Sequence, residues 1–522
     1  MHMGDVLRMN ARRTPRKVAI TDERGSTTYA DLEARTNSLA NSLLAIGIQP
    51  RTNVALLMGN RTEQVEAMFA LAKLGVVAVP MDPKWRGREI AGAFAFFDVA
   101  GAIAETSVAA ELQRALDTLP EFSGPVVWVG DPPPTRGPRH HGYEALVAGE
   151  RSTEPGIRVE PGDLFLLMIT SGTTGFPKGC QVTHQKYVYS CLNHAVDRNM
   201  GADDKELVAT PICFNSGRSS LLGHLFFGAS VILPERFEPD TALATIEREQ
   251  VTYLAIAPVQ ADRLLQSPYL GRYDTSSLRC LRKAGSPFHR RTLEGLIAHV
   301  TPYVYQSYAS TDAGTVSMLG PDEQLSHYGS SGRLIWAAEA LICDERGQPL
   351  PPGEVGEIVC RGPLVCDGYY KNPEANAASF RDGWLLTGDL GRFDDDGYLY
   401  VVGRRKHMIK SGSISIFPDE VQNVLQSHPA VFEAAVVGVP DAEWGEAVVA
   451  MVAPLPGQAV SPPDLIAYCK AQLAAYKAPK RVELVDALPH TELGKIATEI
   501  VRSRFLELLA QPAPGPGEPR QR

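Results

Sequence analysis

A segment rich in glycine and hydroxyl residues, at positions 170–179, has the composition of a loop that holds phosphate. It reads Thr-Ser-Gly-Thr-Thr-Gly-Phe-Pro-Lys-Gly and follows an apolar run, 164–169, that is typical of a buried strand. The glycines let backbone N–H groups point into one concavity, the hydroxyls add donors, and Lys178 adds a point charge. A Walker loop matches poorly because Pro177 and Gly179 flank the lysine and keep the backbone from entering a helix. The predicted phosphate site comprises Thr170, Ser171, Gly172, Thr173, Thr174 and Lys178.

A plain surface loop is the alternative interpretation of this segment.

The length and composition of the chain indicate how many domains it has and which classes of partner it contacts. A chain of 522 residues exceeds the size of a single hydrophobic core, so two or more domains are expected. Its net charge of −9 gives no basic footprint for nucleic acid. The N-terminus lacks the apolar core of a signal peptide, and the most apolar stretch, 67–81, is interrupted by Lys73 and Pro80. We therefore expect a cytoplasmic protein that contacts neither nucleic acid nor membrane.

Short apolar runs alternate with amphipathic stretches through the middle of the chain. The strand-like runs are 165–169, 230–233, 253–257, 278–281 and 303–305. Helix-like stretches such as 241–250 and 291–299 lie between them, and this alternation predicts a largely parallel sheet covered by helices. A second layered subdomain is predicted from an earlier set of strands and helices, at 18–21, 29–46, 54–57, 62–74 and 76–79.

The pattern changes after residue 404. Strands are predicted at 431–439, 446–452 and 482–485, with a helix at 462–475. The predicted fold class is therefore α/β, with a large N-terminal domain of layered α/β subdomains at 1–404 and a small mobile α+β C-terminal domain at 405–510. Residues 511–522 are rich in proline and glycine and are expected to form a disordered tail.

Four further motifs follow the loop in order. Tyr-Ala-Ser-Thr-Asp ends at Asp312, Gly-Trp-Leu-Leu-Thr-Gly-Asp ends at Asp389, Gly-Arg-Arg-Lys begins at Gly403, and Leu-Pro-His-Thr-Glu-Leu-Gly-Lys ends at Lys495. Together with the loop, they resemble the motifs of the adenylate-forming superfamily, which includes acyl-CoA synthetases, stand-alone adenylation enzymes and luciferases. The resemblance extends over nearly the whole chain and implies ATP, Mg²⁺ and a small carboxylic acid as ligands.

The resemblance also implies which residues hold the nucleotide. In the family, a tyrosine stacks on adenine, a small turn contacts adenine through its backbone, and an aspartate and an arginine bind the ribose. A carboxylate suits the two ribose hydroxyls because it only accepts hydrogen bonds. The residues at these positions are Tyr308 after Ser307, the turn Gly285, Ser286 and Pro287, Asp389, and Arg404.

Catalysis and domain movement are implied for a second set of positions. Thr311 and Asp312 match the magnesium side of the family site, with Asp312 as the metal ligand in place of the usual glutamate; the shorter side chain can bind through water, since Mg²⁺ retains several waters. Lys495 matches the lysine that bridges the acid carboxylate and the α-phosphate, where a fixed ammonium lowers the repulsion between two anions. Lys406 matches the hinge between the domains, and His407 stands where the family usually has an acid.

The acyl pocket is where this sequence departs most from the family. Phe214 occupies the position of an aromatic gate, and Asn215 stands where enzymes that activate amino acids have an aspartate for the α-ammonium. The resemblance therefore favours a carboxylic acid with a polar substituent over an α-amino acid. Arg218, Arg282 and Lys283 flank the same predicted pocket. They either receive a second anionic group of the substrate, or point outward or support the nucleotide.

The acyl acceptor is left open by the sequence. CoA is the first choice because the C-terminal module is complete, although segment 411–418 lacks the Gly-Glu-Asn type of sequence common in thioester-forming members. The alternatives are the pantetheine thiol of an acyl carrier protein and a nitrogen nucleophile. A nucleotide sensor without catalytic activity is disfavoured because the nucleotide and catalytic positions are all occupied, by Lys178, Asp389, Arg404 and Lys495.

Overall fold

The structure is a computed structural model that describes residues 1–131, 139–149, 151–170, 178–411, 414–441, 444–491 and 495–510. The chain forms two compact units. The first consists of Met1–Pro287, Thr292–Ala340 and Val359–Leu386. The second consists of Phe288–Arg291, Leu341–Ile358 and the chain from Thr387 onward.

The helices and strands of the described residues alternate through most of the chain. The helices are α1 Asp5–Arg13, α2 Tyr29–Ala45, α3 Thr62–Leu74, α4 Gly87–Phe96, α5 Ala109–Asp117, α6 Tyr143–Val147, α7 His184–Arg198, α8 Asn215–Phe227, α9 Pro239–Glu249, α10 Pro258–Gln266, α11 Arg290–His299, α12 Pro373–Ser379, α13 Pro418–Gln426, α14 Pro462–Gln472 and α15 Thr498–Ala510. The strands are β1 Val18–Asp22, β2 Gly25–Thr28, β3 Asn53–Leu57, β4 Val77–Met81, β5 Val99–Glu105, β6 Val126–Val129, β7 His140–Gly142, β8 Leu164–Thr170, β9 Lys178–Thr183, β10 Lys205–Val208, β11 Ser230–Ile232, β12 Tyr253–Ile256, β13 Cys280–Lys283, β14 Val304–Ser310, β15 Gly314–Leu319, β16 Arg333–Leu334, β17 Glu339–Cys343, β18 Gly356–Arg361, β19 Phe380–Arg381, β20 Trp384–Phe393, β21 Leu399–Arg404, β22 Ile409–Ser411, β23 Ile414–Ile416, β24 Val431–Asp441, β25 Gly445–Pro454 and β26 Arg481–Leu484.

The first unit contains two large sheets. Their strand orders are β16-β15-β14-β13-β12-β10-β11-β1-β2 and β7-β6-β5-β3-β4-β8-β9. All neighbours from β14 to β1 run parallel, and so do all neighbours from β7 to β8. The predicted α/β fold with covered parallel sheets is therefore confirmed.

Two strands belong to a different sheet from the one that their order in the sequence predicts. The sequence groups β1 with β3 and β4, but β1 pairs with β11, with Ile20 opposite Val231. The sequence groups β8 with the later strands, but β8 pairs with β4, with Ala78 opposite Leu166. Local periodicity predicts that a strand exists, whereas its partner is chosen by packing between distant parts of the chain.

Helix α3 is buried along its whole length and shares one core cluster with strands of both sheets. Its charged residues therefore need partners, because an unpaired buried charge is costly. Glu66 accepts hydrogen bonds from the guanidinium of Arg35 at 2.5 and 3.2 Å. The ammonium of Lys73 lies 2.9 Å from a carboxylate oxygen of Glu33 and 2.8 Å from one of Glu154.

The second unit contains the predicted α+β module. Its sheet has the strand order β23-β22-β25-β24, with β26 beside β25. Helices α13 and α14 share a hydrophobic cluster with one face of the β24–β25 hairpin, and α15 shares a cluster with the other face. Within this unit, β20 also pairs antiparallel with β21.

The compact units divide the chain elsewhere than at the predicted boundary between residues 404 and 405. The chain passes from one unit to the other just before Phe288 and within α11, β17, β18 and β20. The predicted boundary concerns which part of the chain moves, and it remains a prediction. The predicted tail, 511–522, lies outside the described residues. None of the helices in the described ranges has the length and apolar character needed to cross a bilayer.

Candidate functional site

Lys178, Tyr369 and Asp312 come together in the first unit. Lys178 begins β9, opposite Thr170 at the end of β8. Its ammonium lies 4.3 Å from the centre of the Tyr369 ring, a cation–π contact. The Tyr369 hydroxyl donates a hydrogen bond of 2.7 Å to Oδ2 of Asp312. The two ends of this row are the cation of the predicted phosphate loop and the carboxylate of the predicted metal side.

Backbone pairing holds Tyr369 in this position. The amide of Gln181 donates to the carbonyl of Gly368 at 2.9 Å, and the amide of Tyr370 donates to the carbonyl of Gly179 at 2.8 Å. Segment 367–370 thus runs along β9 and sets the Tyr369 ring beside Lys178. The sequence motifs do not predict this contact, which depends on the pairing of segment 367–370 with β9.

Asp312 lies in a turn after β14, and its carboxylate oxygens can accept a cation. Its Oδ1 accepts hydrogen bonds from the Ser310 hydroxyl and from the Ala313 amide, at 2.5 and 3.2 Å. Burial and the neighbouring Asp312 raise the pKa of Tyr369, so the phenol donates in its neutral form. No Lys or Arg of the described residues forms an ion pair with Asp312, whose hydrogen bonds there come from two hydroxyls and a backbone amide. Thr311 lies in the same turn, half-buried.

The predicted adenine residues meet at the ends of two neighbouring parallel strands, β13 and β14. In the register of this pair, Arg282 stands opposite Tyr305. The turn that follows β13 is therefore level with the later part of β14, where Ser307 and Tyr308 are buried. A bulge after Tyr308 changes the direction of the backbone at this point. Carboxyl ends of parallel strands are the usual place for a nucleotide in an open α/β sheet.

The small turn after β13 depends on glycine. Gly285 has a φ of +81°, which side chains other than glycine rarely tolerate. Ser286 is half-buried and Pro287 is exposed. The ammonium of Lys283 donates to the carbonyl of Gly285 at 3.0 Å, so one contact of this lysine closes the turn. Its predicted role in the acyl pocket stays a prediction.

The predicted acyl gate lies at the start of α8. Phe214 is the N-terminal cap residue of this helix, and Asn215 is its first residue; both are half-buried. A Cβ on Gly217 would come within 2.6 Å of the Thr210 carbonyl oxygen, so the first turn needs glycine to pack closely. Arg218 is fully buried, and its Nη1 donates to the carbonyl of Cys213 at 2.7 Å.

Arg218 therefore supports the loop that carries the gate. Its Nη1 also lies 3.3 Å from the carbonyl oxygen of Ile212. Burial lowers the pKa of Arg218, while Tyr187 and Cys213 oppose that change. The predicted contact between Arg218 and substrate remains a prediction, but this geometry gives the side chain a positioning role.

In the second unit, Asp389 and Arg404 are direct cross-strand partners of β20 and β21. Their side chains form an ion pair, with 2.8 Å between Arg404 Nε and Asp389 Oδ1. The Asp389 side chain is 7% exposed, whereas that of Arg404 is 50% exposed. The register of one antiparallel pair thus brings together the two residues predicted to bind the ribose.

The charges of Arg404 and Asp389 influence the pKa of Lys495. Its backbone closes a turn, because the Thr491 amide donates to the Lys495 carbonyl at 2.7 Å and the Lys495 amide donates to the Thr491 hydroxyl at 3.3 Å. The side chain is exposed, yet desolvation by the surrounding protein lowers the pKa of Lys495. Arg404 lowers it further, and Asp389 opposes both effects.

The predicted hinge lies in a short 3₁₀ turn, Arg405–His407, which follows β21. Lys406 is exposed, and its pKa is lowered by desolvation and by Arg404. Desolvation, Lys406 and Arg404 likewise lower the pKa of His407. This turn is therefore crowded with positive charge at the place where the family usually has an acid.

Part of the predicted site lies outside the described residues. Ser171, Gly172, Thr173 and Thr174 belong to that part, and of Thr170 only the backbone is described. The structure brings together two sets of predicted residues: Lys178 with Asp312 in the first unit, and Asp389, Arg404 and Lys495 in the second.

Comparison with known proteins identifies the same two parts. Residues 7–370 match the family described as AMP-binding enzyme, and residues 420–495 match the AMP-binding enzyme C-terminal domain. The chain is 35% identical over 500 residues to a feruloyl-CoA synthase from Amycolatopsis sp, a match that covers 95% of this chain and 97% of that protein.

Two solved structures have the same fold over almost their full lengths. An o-succinylbenzoate CoA synthetase from Bacillus subtilis, in complex with its acyl-adenylate intermediate, superposes with a TM-score of 0.84 at 31% identity, covering 96% of this chain and 97% of that one. An amide bond synthetase from Marinactinospora thermotolerans superposes with a TM-score of 0.87 at 31% identity, covering 97% of this chain and 100% of that one.

Proposed function

The chain belongs to the AMP-binding enzyme family as an AMP-forming acid–CoA ligase, and from this premise we propose how its own residues divide two half-reactions between them. In the first, a carboxylic acid reacts with ATP to give an acyl-adenylate and pyrophosphate. In the second, the acyl group passes to the thiol of CoA. The observation that carries the assignment of residues is the row Lys178, Tyr369 and Asp312.

The first half-reaction joins two anions. The carboxylate oxygen forms a bond to the α-phosphorus, and the bond from that phosphorus to the pyrophosphate oxygen breaks. Lys178 is suited to hold the phosphates because its ammonium is free of ion pairs with described residues and rests on an aromatic ring. Lys495 supplies a second cation where the carboxylate meets the α-phosphate, and Asp389 with Arg404 holds the ribose.

Mg²⁺ fits the donors of the first unit. Asp312 provides carboxylate oxygens whose partners among the described residues are neutral donors, and Thr311 provides a hydroxyl beside it. Mg²⁺ takes one or two protein oxygens and completes its shell with phosphate and water oxygens. When bound there, the ion supplies positive charge to the pyrophosphate as it leaves. Tyr369 holds Asp312 in place from the side opposite Ser310.

The second half-reaction needs an acyl acceptor. The thiol sulfur of CoA attacks the acyl carbon, the bond to the AMP oxygen breaks, and the thiol proton is lost to solvent. As the family resemblance implies, movement of the small domain about Lys406 would withdraw Lys495 from the reacting groups and open a channel for the acceptor. A nitrogen nucleophile is the second candidate acceptor, supported by the similarity in fold and sequence to an amide bond synthetase.

Isotope exchange between pyrophosphate and ATP, measured over a panel of carboxylic acids, tests the first half-reaction. We expect exchange with at least one acid and AMP as the nucleotide product. Formation of ADP, or exchange in the absence of any acid, would contradict the proposal. Addition of CoA or of primary amines to the active acid then separates the two acceptors, because only the true acceptor yields stoichiometric product together with AMP.

A further inference from the structure

A group of polar side chains, buried except for the half-buried Arg282, lies behind the predicted acyl gate and takes no part in the mechanism above. It is formed by α7, α8, β10 and β13 of the first unit. Its members are His194 and Arg198 on α7, His224 on α8, Glu206 on β10 and Arg282 on β13. We refer to these five residues as the arginine–histidine cluster.

The cluster adjoins the gate through Arg282. Its Nη2 donates to the carbonyl of Ser216 at 3.1 Å, in the first turn of α8 and two residues beyond Phe214. The two helices cross closely, because a Cβ on Gly223 would lie 3.2 Å from Nδ1 of His194. The cluster is therefore part of the wall behind the residues predicted to receive the acyl group.

Several polar atoms of the cluster have no hydrogen-bond partner among the described residues. Among the described residues, the side chain of Arg198 has no hydrogen-bond or ion-pair partner, although the residue is only 3% exposed. His194 is 4% exposed, and its Nδ1 has no partner in the described chain. The same holds for Nε2 of His224, which is fully buried. Buried donors without acceptors are rare because each costs its full desolvation.

Two neighbouring arginines have partners within the protein. Arg279 forms an ion pair with Asp204, with 2.7 Å from its Nε to Oδ1. Arg218 gives its Nη1 to two backbone carbonyls. Arg198 and Arg282 have no carboxylate within ion-pair distance in the described chain. Arg198 is therefore about as buried as Arg218 but lacks its hydrogen bonds, whereas the side chain of the ion-paired Arg279 is 35% exposed.

The cluster holds two guanidinium groups against one carboxylate, that of Glu206, so one positive charge has no matching carboxylate among its members. Glu206 is directed to His224, with 3.0 Å between its Oε2 and Nδ1 of the imidazole. Burial and the proximity of Arg198 lower the pKa of Arg282 to about 10, while Glu206 opposes this change. Burial, Arg198 and Arg282 together push the pKa of His194 well below its ordinary value, so this imidazole is neutral. Two guanidinium groups that repel each other inside a protein point to an anion as the missing partner.

We propose that Arg198 and Arg282 bind a second carboxylate on the acid substrate, with the neutral His194 as an additional hydrogen-bond donor. The inference rests on the proposed function, since it names the substrate class of that site: a dicarboxylic acid, with one carboxylate activated by ATP and the other held by the cluster. Guanidinium groups suit this task because their N–H groups form a fork that matches both carboxylate oxygens.

The experiment compares each diacid with its own monomethyl ester, which keeps the shape but removes one charge. The probes are succinate, glutarate, adipate, terephthalate and 4-carboxycinnamate. In pyrophosphate exchange, at least one diacid should exceed its ester by about 10²-fold in kcat/KM, the value of two charge-assisted hydrogen bonds. The variants Arg198→Met and Arg282→Met should remove this preference, because each should lower kcat/KM for the diacid more than for its ester.

Controls separate lost recognition from lost folding. Arg248→Met removes an arginine of the same type from the exposed face of α9, where it pairs with Glu249, and should keep the preference. Arg282→Lys keeps a positive charge and should restore part of it. Thermal unfolding checks each variant; we expect no loss of stability in Arg198→Met, because no described side chain depends on this guanidinium.

The outcomes distinguish the inference from the function beneath it. If every ester reacts as well as its diacid, or if both arginine variants lower the two rates equally, the inference is wrong and the ligase activity stands. If no acid supports exchange, the proposed function fails. Calorimetric titration of the same diacids into the wild type and the two methionine variants then decides the inference alone, since binding that is unchanged by both substitutions would overturn it.

Discussion

Tyr369 offers a direct test of how the phosphate side of the site is organised. The substitution Tyr369→Phe removes the hydroxyl that donates to Asp312 Oδ2 at 2.7 Å, and keeps the ring over which Lys178 lies at 4.3 Å. A hydrogen bond to a charged group contributes about 1.5–3 kcal/mol. Because 1.4 kcal/mol corresponds to a factor of ten, we expect adenylation to slow by about 10- to 10²-fold.

The assay is acid-dependent pyrophosphate exchange over a range of Mg²⁺ concentrations. If Tyr369 positions the carboxylate that holds the ion, Tyr369→Phe should raise the Mg²⁺ concentration required for half-maximal exchange. Tyr369→Ala removes the ring as well and should cost a further factor of about 2 to 30, from about 0.5–2 kcal/mol of cation–π contact. A scaffold role alone would change stability without changing the Mg²⁺ dependence.

The neighbouring residue provides a matched control. Tyr370→Phe also removes one hydroxyl, which donates to Oδ2 of Asp98 at 2.7 Å on the other side of the same segment. We expect its exchange rate and Mg²⁺ dependence to match the wild type. The reasoning is refuted if Tyr369→Phe stays within a factor of two of the wild type, or if both phenylalanine variants show the same Mg²⁺ shift.

Three further predictions concern the second unit. Lys495→Ala should slow adenylation by about 10²-fold or more, because one preorganised charge is lost from the transition state. Transfer of the acyl group from preformed acyl-adenylate to CoA should survive. Equal losses in the two half-reactions would remove Lys495 from this role. Lys406→Pro should impair thioester formation more than pyrophosphate exchange, because proline fixes φ at the predicted hinge, and unchanged single-turnover transfer would count against a hinge there. His490 Nε2 donates to Oε1 of Glu433 at 3.0 Å, and this bond raises the pKa of His490. Its stabilising contribution is therefore complete below the unfolded-state pKa and disappears as the pH rises through the folded-state pKa. Melting temperatures of the wild type and His490→Gln should therefore differ most in acid and converge in alkali, and a constant difference across that range would contradict the assignment.

The sequence predicted the elements of the fold better than their partners. Alternating apolar runs located β12 and β14, since buried parallel strands leave a clear local pattern. The same pattern could not assign β1 and β8 to their sheets, because pairing such as Ile20 with Val231 depends on packing between distant segments. Secondary structure is partly local, whereas sheet membership is decided by the whole unit.

The residues of the candidate site also differ in whether the sequence reveals them. Motif resemblance predicted Asp389 and Arg404, and their cross-strand pairing is consistent with the shared role assigned to them. Tyr369 was missed because nothing in the spacing around a tyrosine after glycine indicates contact with a residue far along the chain. His194 and Arg198 were missed although they lie four residues apart, a spacing that places them on one helical face. On a helix, such a face is normally solvated, and only the fold shows that this one is buried.

Helix α3 has a consequence for how the first unit can diverge among relatives. A helix without a solvent face gives no position at which residues change freely. Its ionised side chains are matched by groups from other segments, Glu66 by Arg35 and Lys73 by Glu33 and Glu154. Substitutions at these positions should therefore occur in pairs, in which both residues reverse or lose their charge together. An alignment of many relatives should show these positions as covarying columns.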